Sequence, residues 1–179
     1  MTVLVVYESM YGSTQAIAEA IGRGLAQSGR VQVKEVSALA ASPGSRQLAE
    51  DVTLLVVGGP THSRGMSKPN SREDAIKDAP GGRIISNGRG IREWIEDLTM
   101  PTGGTRVAAF ETKQPKAFIP GSAAKAAEQA LVHVGGRPCA PPKSFLVTGR
   151  TSGLAEGQIE AAEAWGRELG AISGVRPRR

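Results

Sequence analysis

Short apolar runs punctuate this chain, and they come in two kinds. Residues 3–7 and 52–57 are continuous and rich in valine, the pattern of strands buried on both faces of a parallel sheet. Residues 31–36 alternate, with Val31 and Val33 set among polar neighbours, which predicts a strand nearer an edge. Residues 106–110 and 144–148 complete five predicted strands. Between them, apolar positions recur at helical spacing: Ile17, Ile21 and Leu25; Ile91, Trp94, Ile95 and Leu98; and Ala124, Ala127, Leu131 and Val134 behind Ser122, a candidate N-cap. The longest stripe runs from Ala155 through Ile159, Ala162, Trp165 and Leu169 to Ile172. Residues 42–49 leave room for one short helix. Strand and helix alternate five times, so the pattern predicts an α/β fold: one domain built on a doubly wound parallel sheet with helices on both faces.

One stretch breaks the rhythm. Residues 58–90 are dense in glycine, proline and polar side chains, too long for a simple connection. They read as a functional loop, a lid or a partly disordered insertion. The body of the domain is assigned to residues 1–173, with residues 174–179 as a basic tail.

Composition narrows the function. With 179 residues, 40% hydrophobic and 22% charged, the chain can build a core without staples. Aromatics are only 4%, so Trp and Met are read first as core. The net charge of +5 owes much to Arg176, Arg178 and Arg179, so a solvated tail is favoured over a nucleic-acid patch. The single cysteine, Cys139, allows no internal disulfide and reads as a buried or idle thiol. Two histidines, His62 and His133, build no zinc site by themselves. No apolar run is long enough for a membrane helix, and no basic region precedes the first apolar stretch. The expected location is the cytoplasm.

Open α/β sheets bind ligands beyond the carboxyl ends of their strands. The first such loop, Ser9-Met10-Tyr11-Gly12-Ser13-Thr14, runs straight into a helix. It offers hydroxyls, exposed backbone N–H groups and the positive end of a helix dipole, which together make a phosphate site held by neutral donors. The same residues equally suit a plain turn capped by serine and threonine. Other phosphate and nucleophile motifs are absent: no GxGxxG, no GxxxxGK[ST], no GxSxG. Glu35 lies about 20 residues past the loop, where a ribose-binding acid would stand, but the glycine fingerprint is missing.

In these residues the chain resembles the flavodoxin family, whose phosphate loop reads Ser/Thr-x-Thr-Gly-x-Thr; Tyr11 replaces one threonine. The longer string Tyr7-x-Ser9-x-Tyr11-Gly12-Ser13-Thr14 is similar to the branch that includes menaquinone-type protoporphyrinogen oxidases. The family's second loop, Thr-Trp-x-x-Gly, has its counterpart in Thr61-His62-Ser63-Arg64-Gly65. The resemblance implies a short-chain form, five parallel strands in the order 2-1-3-4-5, and bound FMN. It further implies that Ser9, Met10, Tyr11, Gly12, Ser13 and Thr14 hold the FMN phosphate. Pro60, Thr61, His62, Gly65 and Met66 would line one side of the isoalloxazine, with Gly65 at the peptide that can turn over. Glu111, Thr112 and Lys113, in a loop running on to Lys116, would close the pyrimidine end.

Two departures carry consequences. His62 stands at the tryptophan position and Met66 where an acid often meets the ring; Phe118 is the remaining aromatic on the other side. With no acid near and Lys113 close, the resemblance implies a less negative potential than that of electron-shuttling flavodoxins. The net positive charge favours acidic or anionic partners. Arg64, Lys68 and Arg72 either recruit such an anion or simply solubilise their loop. The functional expectation is an FMN-binding protein that passes electrons to or from a redox partner, with no catalytic residue and no metal. Two alternatives stay open: an FMN-dependent oxidoreductase acting on a quinone or porphyrinogen, with residues 58–90 as its lid, and a binding module that kept the fold without FMN.

Overall fold

A computed structural model describes residues 2–62, 65–115 and 121–172. Ser63, Arg64, Lys116, Phe118 and the basic tail lie outside the described residues. Six strands form one parallel sheet: β1 (Thr2–Tyr7), β2 (Arg30–Glu35), β3 (Val52–Pro60), β4 (Arg106–Lys113), β5 (Arg137–Pro138) and β6 (Lys143–Leu146). The order is β2-β1-β3-β4-β5, with β6 also on β4. This is the expected 2-1-3-4-5, but its fifth position is shared. β5 pairs with Arg106 and Val107, and β6 pairs with residues 110–113, further along the same strand. The residues between them include Pro141 and Pro142, which carry no N–H for a ladder, so the edge strand detours there.

The helices are α1 (Ser13–Leu25), α2 (Val36–Ala40), α3 (Pro69–Asp78), α4 (Ile91–Glu96), α5 (Ala123–His133) and α6 (Gln158–Ile172). Strand alternation splits the core into two layers. Leu4, Val6, Leu55, Val57, Val107 and Ala109 face α4 and α5, around Trp94 and Leu131. Val3, Val5, Leu54, Val56, Ala108 and Phe110 face α1 and α6, around Trp165. Helices α1 and α6 pack backbone to backbone through Gly24 and Gly166; a Cβ on either would strike a carbonyl oxygen of the other helix. Both tryptophans are core, as expected. Cys139 is half-buried against the α1/α6 layer, and burial holds its thiol pKa above the ordinary value.

Several sequence expectations are corrected. Residues 42–49 form turns rather than a helix; the short helix lies earlier, at α2, where Glu35 accepts from the N–H groups of Ser37 and Ala38. Glu35 is therefore a helix cap, not a ribose-binding acid. β3 runs through Gly58, which pairs with both β1 and β4, and on through Gly59 and Pro60, because β4 continues there to pair with them. β4 likewise takes in Glu111, Thr112 and Lys113, which are strand rather than loop. The 58–90 stretch is no featureless loop: it contains α3, opened by Pro69 at its first position. Arg72 neither solubilises this segment nor recruits an anion, because it is 7% exposed and paired with Glu8 and Glu93.

Candidate functional site

Helices α1, α4 and α5 start at the carboxyl edge of the sheet, and their N-termini are treated differently. Glu8 and Glu111 continue the inward parity of β1 (Leu4, Val6) and β4 (Val107, Ala109), so both point into the α4/α5 layer beside Gly59. Each carboxylate meets a helix start. Glu8 Oε2 accepts from Ile91 N at 2.9 Å, the first residue of α4. Glu111 Oε2 accepts from Ala124 N at 3.1 Å, in the first turn of α5, and from the N-cap Ser122 hydroxyl at 2.8 Å. Both placements satisfy orphan donors and oppose the helix dipole. The N-terminus of α1 has no side-chain cap.

That uncapped end opens into a cavity of about 430 Å³, within the range of small-molecule sites. Ser9, Met10, Tyr11, Ser13 and Thr14 line one side of it. Gly12 shapes the loop from behind: its φ of 103° is the left-handed region, and its N–H donates to Ser9 Oγ at 3.1 Å. Thr14 and Thr112 join their hydroxyls at 2.8 Å, linking the loop to β4.

Pro60, Thr61, His62, Thr112 and Lys113 also line the cavity. The rest of the expected ring contacts lie elsewhere. Met66 is drawn into the α4/α5 core, where its apolar side chain belongs. Gly65 pairs with His62 through two backbone bonds of 3.0 Å and does not line the cavity. Glu111 lies under the floor, 0% exposed, with its oxygens already engaged. Thr61 and Ser122 donate to Oε2 at 2.7 and 2.8 Å, and Ser144 donates to Oε1 at 2.8 Å. Lys113 Nζ stands 3.0 Å from Oε1. Burial raises the Glu111 pKa, but these donors outweigh it and bring the carboxyl down to about 2. Lys113 is thus half of an ion pair, not the lone cation that the sequence implied.

His62 is the unusual member. Its backbone is held on both sides, while its buried Nε2 has no partner among the described residues. Burial, aided by the positive charges of Arg150 and Arg72, pushes its pKa below the ordinary imidazole value. A neutral ring with an unmatched nitrogen therefore borders the cavity.

Sequence reasoning missed several contributors. Ser71 and Asp74 of α3 line the cavity, and so do Val147, Gly149 and Arg150 after β6. Arg150 pairs with Asp78 at 2.7 Å, reaching across to the end of α3. The missing signal was parity: an acid at Glu8 in line with Leu4 and Val6 demands a buried partner, and Arg72 was the basic residue at hand.

Among the described residues no group of three or more His, Cys, Asp or Glu is placed to hold a metal. No described helix is long and apolar enough to cross a membrane.

Solved structures share this fold. A flavodoxin from the domain Archaea is 18% identical, with a TM-score of 0.63 over 97% of this chain and 99% of its own. Flavodoxin 2 from Bacillus cereus is 19% identical, with a TM-score of 0.60 over 97% of each chain. A flavodoxin, WrbA-like protein from Agrobacterium tumefaciens is 15% identical, with a TM-score of 0.59 over 96% of each. At these identities the likeness shows the fold. No curated protein matches the chain significantly. The sequence model of the flavodoxin family matches residues 5–110, more than half the chain. The chain belongs to the flavodoxin family, and its cofactor is FMN.

Proposed function

We propose that this protein is an electron-transfer flavodoxin that holds the FMN phosphate at Ser9, Ser13 and Thr14, against the start of α1. The observation that carries the reading is the contrast among three helix starts. Those of α4 and α5 are filled by Glu8 and Glu111, while that of α1 is left without a side-chain cap at a cavity lined by hydroxyls. The residues present fit the cofactor. Hydroxyls and first-turn N–H groups are the donor set a phosphomonoester takes. The unpartnered His62 Nε2 offers a polar contact further along the cavity.

FMN, when bound, supplies the one- and two-electron chemistry, so the protein needs no catalytic side chain of its own. The chain binds, orients and shields. His62 contributes a neutral hydrogen-bonding nitrogen. Lys113, held by Glu111, brings little net charge to the ring end. The net charge of +5 favours an acidic redox partner.

A second reading has its own support. Ser71 and Asp74 put α3 into the cavity wall, and the Arg150–Asp78 pair reaches across to the same helix. Such a wall suits an oxidoreductase acting on a small acceptor, a quinone or porphyrinogen. Steady-state turnover of a small acceptor without any protein partner would favour this reading; transfer only through a partner protein would favour the first. The test of both is the visible absorption spectrum after adding FMN and desalting. Retained yellow flavin bands are expected, and a colourless protein would sink the two together.

A further inference from the structure

The first half of the phosphate loop is gripped by a segment 64 to 77 residues away in sequence. Ser86 N donates to Ser9 O at 2.9 Å, Ser9 N donates to Ser86 Oγ at 2.9 Å, and Ile85 N donates to Met10 O at 3.1 Å. The Tyr11 hydroxyl donates to Ala75 O at 3.0 Å. The Met10 side chain packs with Ala75, Ala79 and Ile84 in a small core of its own. Each of Ser9, Met10 and Tyr11 is therefore held by residues 75–86.

That segment is fixed in turn at one buried point. Ser67 Oγ donates to Glu8 Oε1, and Arg72 Nη1 donates to Ser67 Oγ at 2.8 Å. Arg72 Nη1 stands 3.8 Å from Glu8, and Nη2 stands 2.9 Å from Glu93 Oε1. Glu93 Oε2 accepts from Gly90 N at 2.8 Å, at the start of α4. Glu8, the residue before Ser9, is 1% exposed, and Arg72 is 7% exposed. Apolar side chains would hold α3 down at least as cheaply as this buried ion network. What the network adds is direction: it fixes α3, α4 and the end of β1 in one mutual orientation.

We propose that Arg72, with Glu8, Ser67, Glu93 and Ser86, is a positioning device for the phosphate loop and sets the affinity for the phosphate end of the cofactor without touching it. This rests on the reading of Ser9, Ser13 and Thr14 as the phosphate site. Bonds taken by Ser86 and Ser9 Oγ hold the loop's shape, which leaves the uncapped donors of Ser13 and Thr14 aimed at one place. Losing the grip lets the loop wander, and an anion that needs several donors at once suffers most.

The experiment compares FMN with riboflavin, which lacks the phosphate, as ligands of the full chain freed of flavin. In the wild type FMN binds more tightly than riboflavin. Arg72→Met is expected to weaken FMN on the order of tenfold or more, as loss of outer support for binding groups does, and to leave riboflavin nearly unchanged. Arg72→Lys restores part of the difference. Ser86→Ala, a milder change that keeps the ion network, moves FMN in the same direction by less. Amide hydrogen exchange at Ser9 and Met10 in the flavin-free protein accelerates in both Arg72→Met and Ser86→Ala.

Equal weakening of FMN and riboflavin, or no weakening of either, overturns the proposal and leaves the network a structural tie. A wild type that does not prefer FMN to riboflavin overturns the phosphate reading itself, and the proposal falls with it.

Discussion

The two buried carboxylates at the carboxyl edge of the sheet share a sheet face and a job, and their pKa values are shifted in opposite directions. Both stop a helix N-terminus and both are almost fully buried. Glu111 collects donors from Thr61 just after β3, from β4, from the start of α5 and from β6, and its pKa falls to about 2. Glu8 has Ser67, Ile91 N and a guanidinium at 3.8 Å that belongs more to Glu93. For Glu8 burial outweighs these partners, with Glu93 adding its repulsion, and the pKa rises. Burial raises both pKa values; the donors around Glu111 outweigh it and those around Glu8 do not. The strand β4 side of the cavity therefore rests on a satisfied hub, while the loop of residues 9–14 follows a carboxylate whose partners do not offset its burial.

Replacing the hub should break the comparison most visibly. Glu111→Leu leaves Lys113 and the donors of Thr61, Ser122 and Ser144 without their acceptor, and is expected to cost about 3–5 kcal/mol in urea unfolding. A loss below about 1 kcal/mol would show that the hub is not tight.

Acid should separate the two carboxylates next. The Glu111 pKa is depressed from 4.5 to about 2, so its contribution is present above pH 4.5 and is lost as pH falls toward 2. The difference corresponds to about 3 kcal/mol. Glu8 runs the other way. Its folded pKa lies above 4.5, so the stability it lends is present below pH 4.5 and fades as pH rises through the folded value. Unfolding free energies between pH 7 and pH 2 should therefore show an acid loss in the wild type that Glu111→Gln removes and Glu8→Gln does not.

Thr14→Val tests the uncapped helix start, where binding rather than folding should suffer. FMN affinity is expected to fall about tenfold, while stability changes by no more than about 1 kcal/mol from the lost bond to Thr112. A stability loss without an affinity loss would make Thr14 a tie between α1 and β4 only. The smallest effect is expected for Glu8→Gln at neutral pH, about 1 kcal/mol or less, because the amide keeps the shape and sheds an uneasy charge. A loss as large as that of Glu111→Leu would show that the two carboxylates are equivalent.

Legibility followed the range of the forces involved. Strands β1 and β3 were legible because valine-rich runs buried on two faces leave little other choice. The loop of residues 9–14 was legible as a strand-to-helix turn because its pattern is local: glycine, hydroxyls and a helix start lie within six residues. Ser122 as the cap of α5 was legible for the same reason. The ends of β3 and β4 were not, since a strand continues as long as a neighbour offers a partner, and Gly59 pairs with Glu111 whatever its own propensity. Helix α3 was hidden by its polar surface, because the side chain it buries deepest besides Ala75 is an arginine.

By itself the sequence determined the alternating α/β order, the two-layered core, the strand order through its resemblance, and the loop that joins β1 to α1. Those follow from side-chain periodicity and local backbone chemistry, which neighbours in sequence settle among themselves. Only the tertiary structure decided that Glu8 meets Arg72, that Glu111 lies under the cavity rather than in it, that Met66 turns to the core, and that α3 forms part of the wall. Each of these depends on which distant group arrives to satisfy a buried charge or fill a space, and only the folded chain brings those groups together.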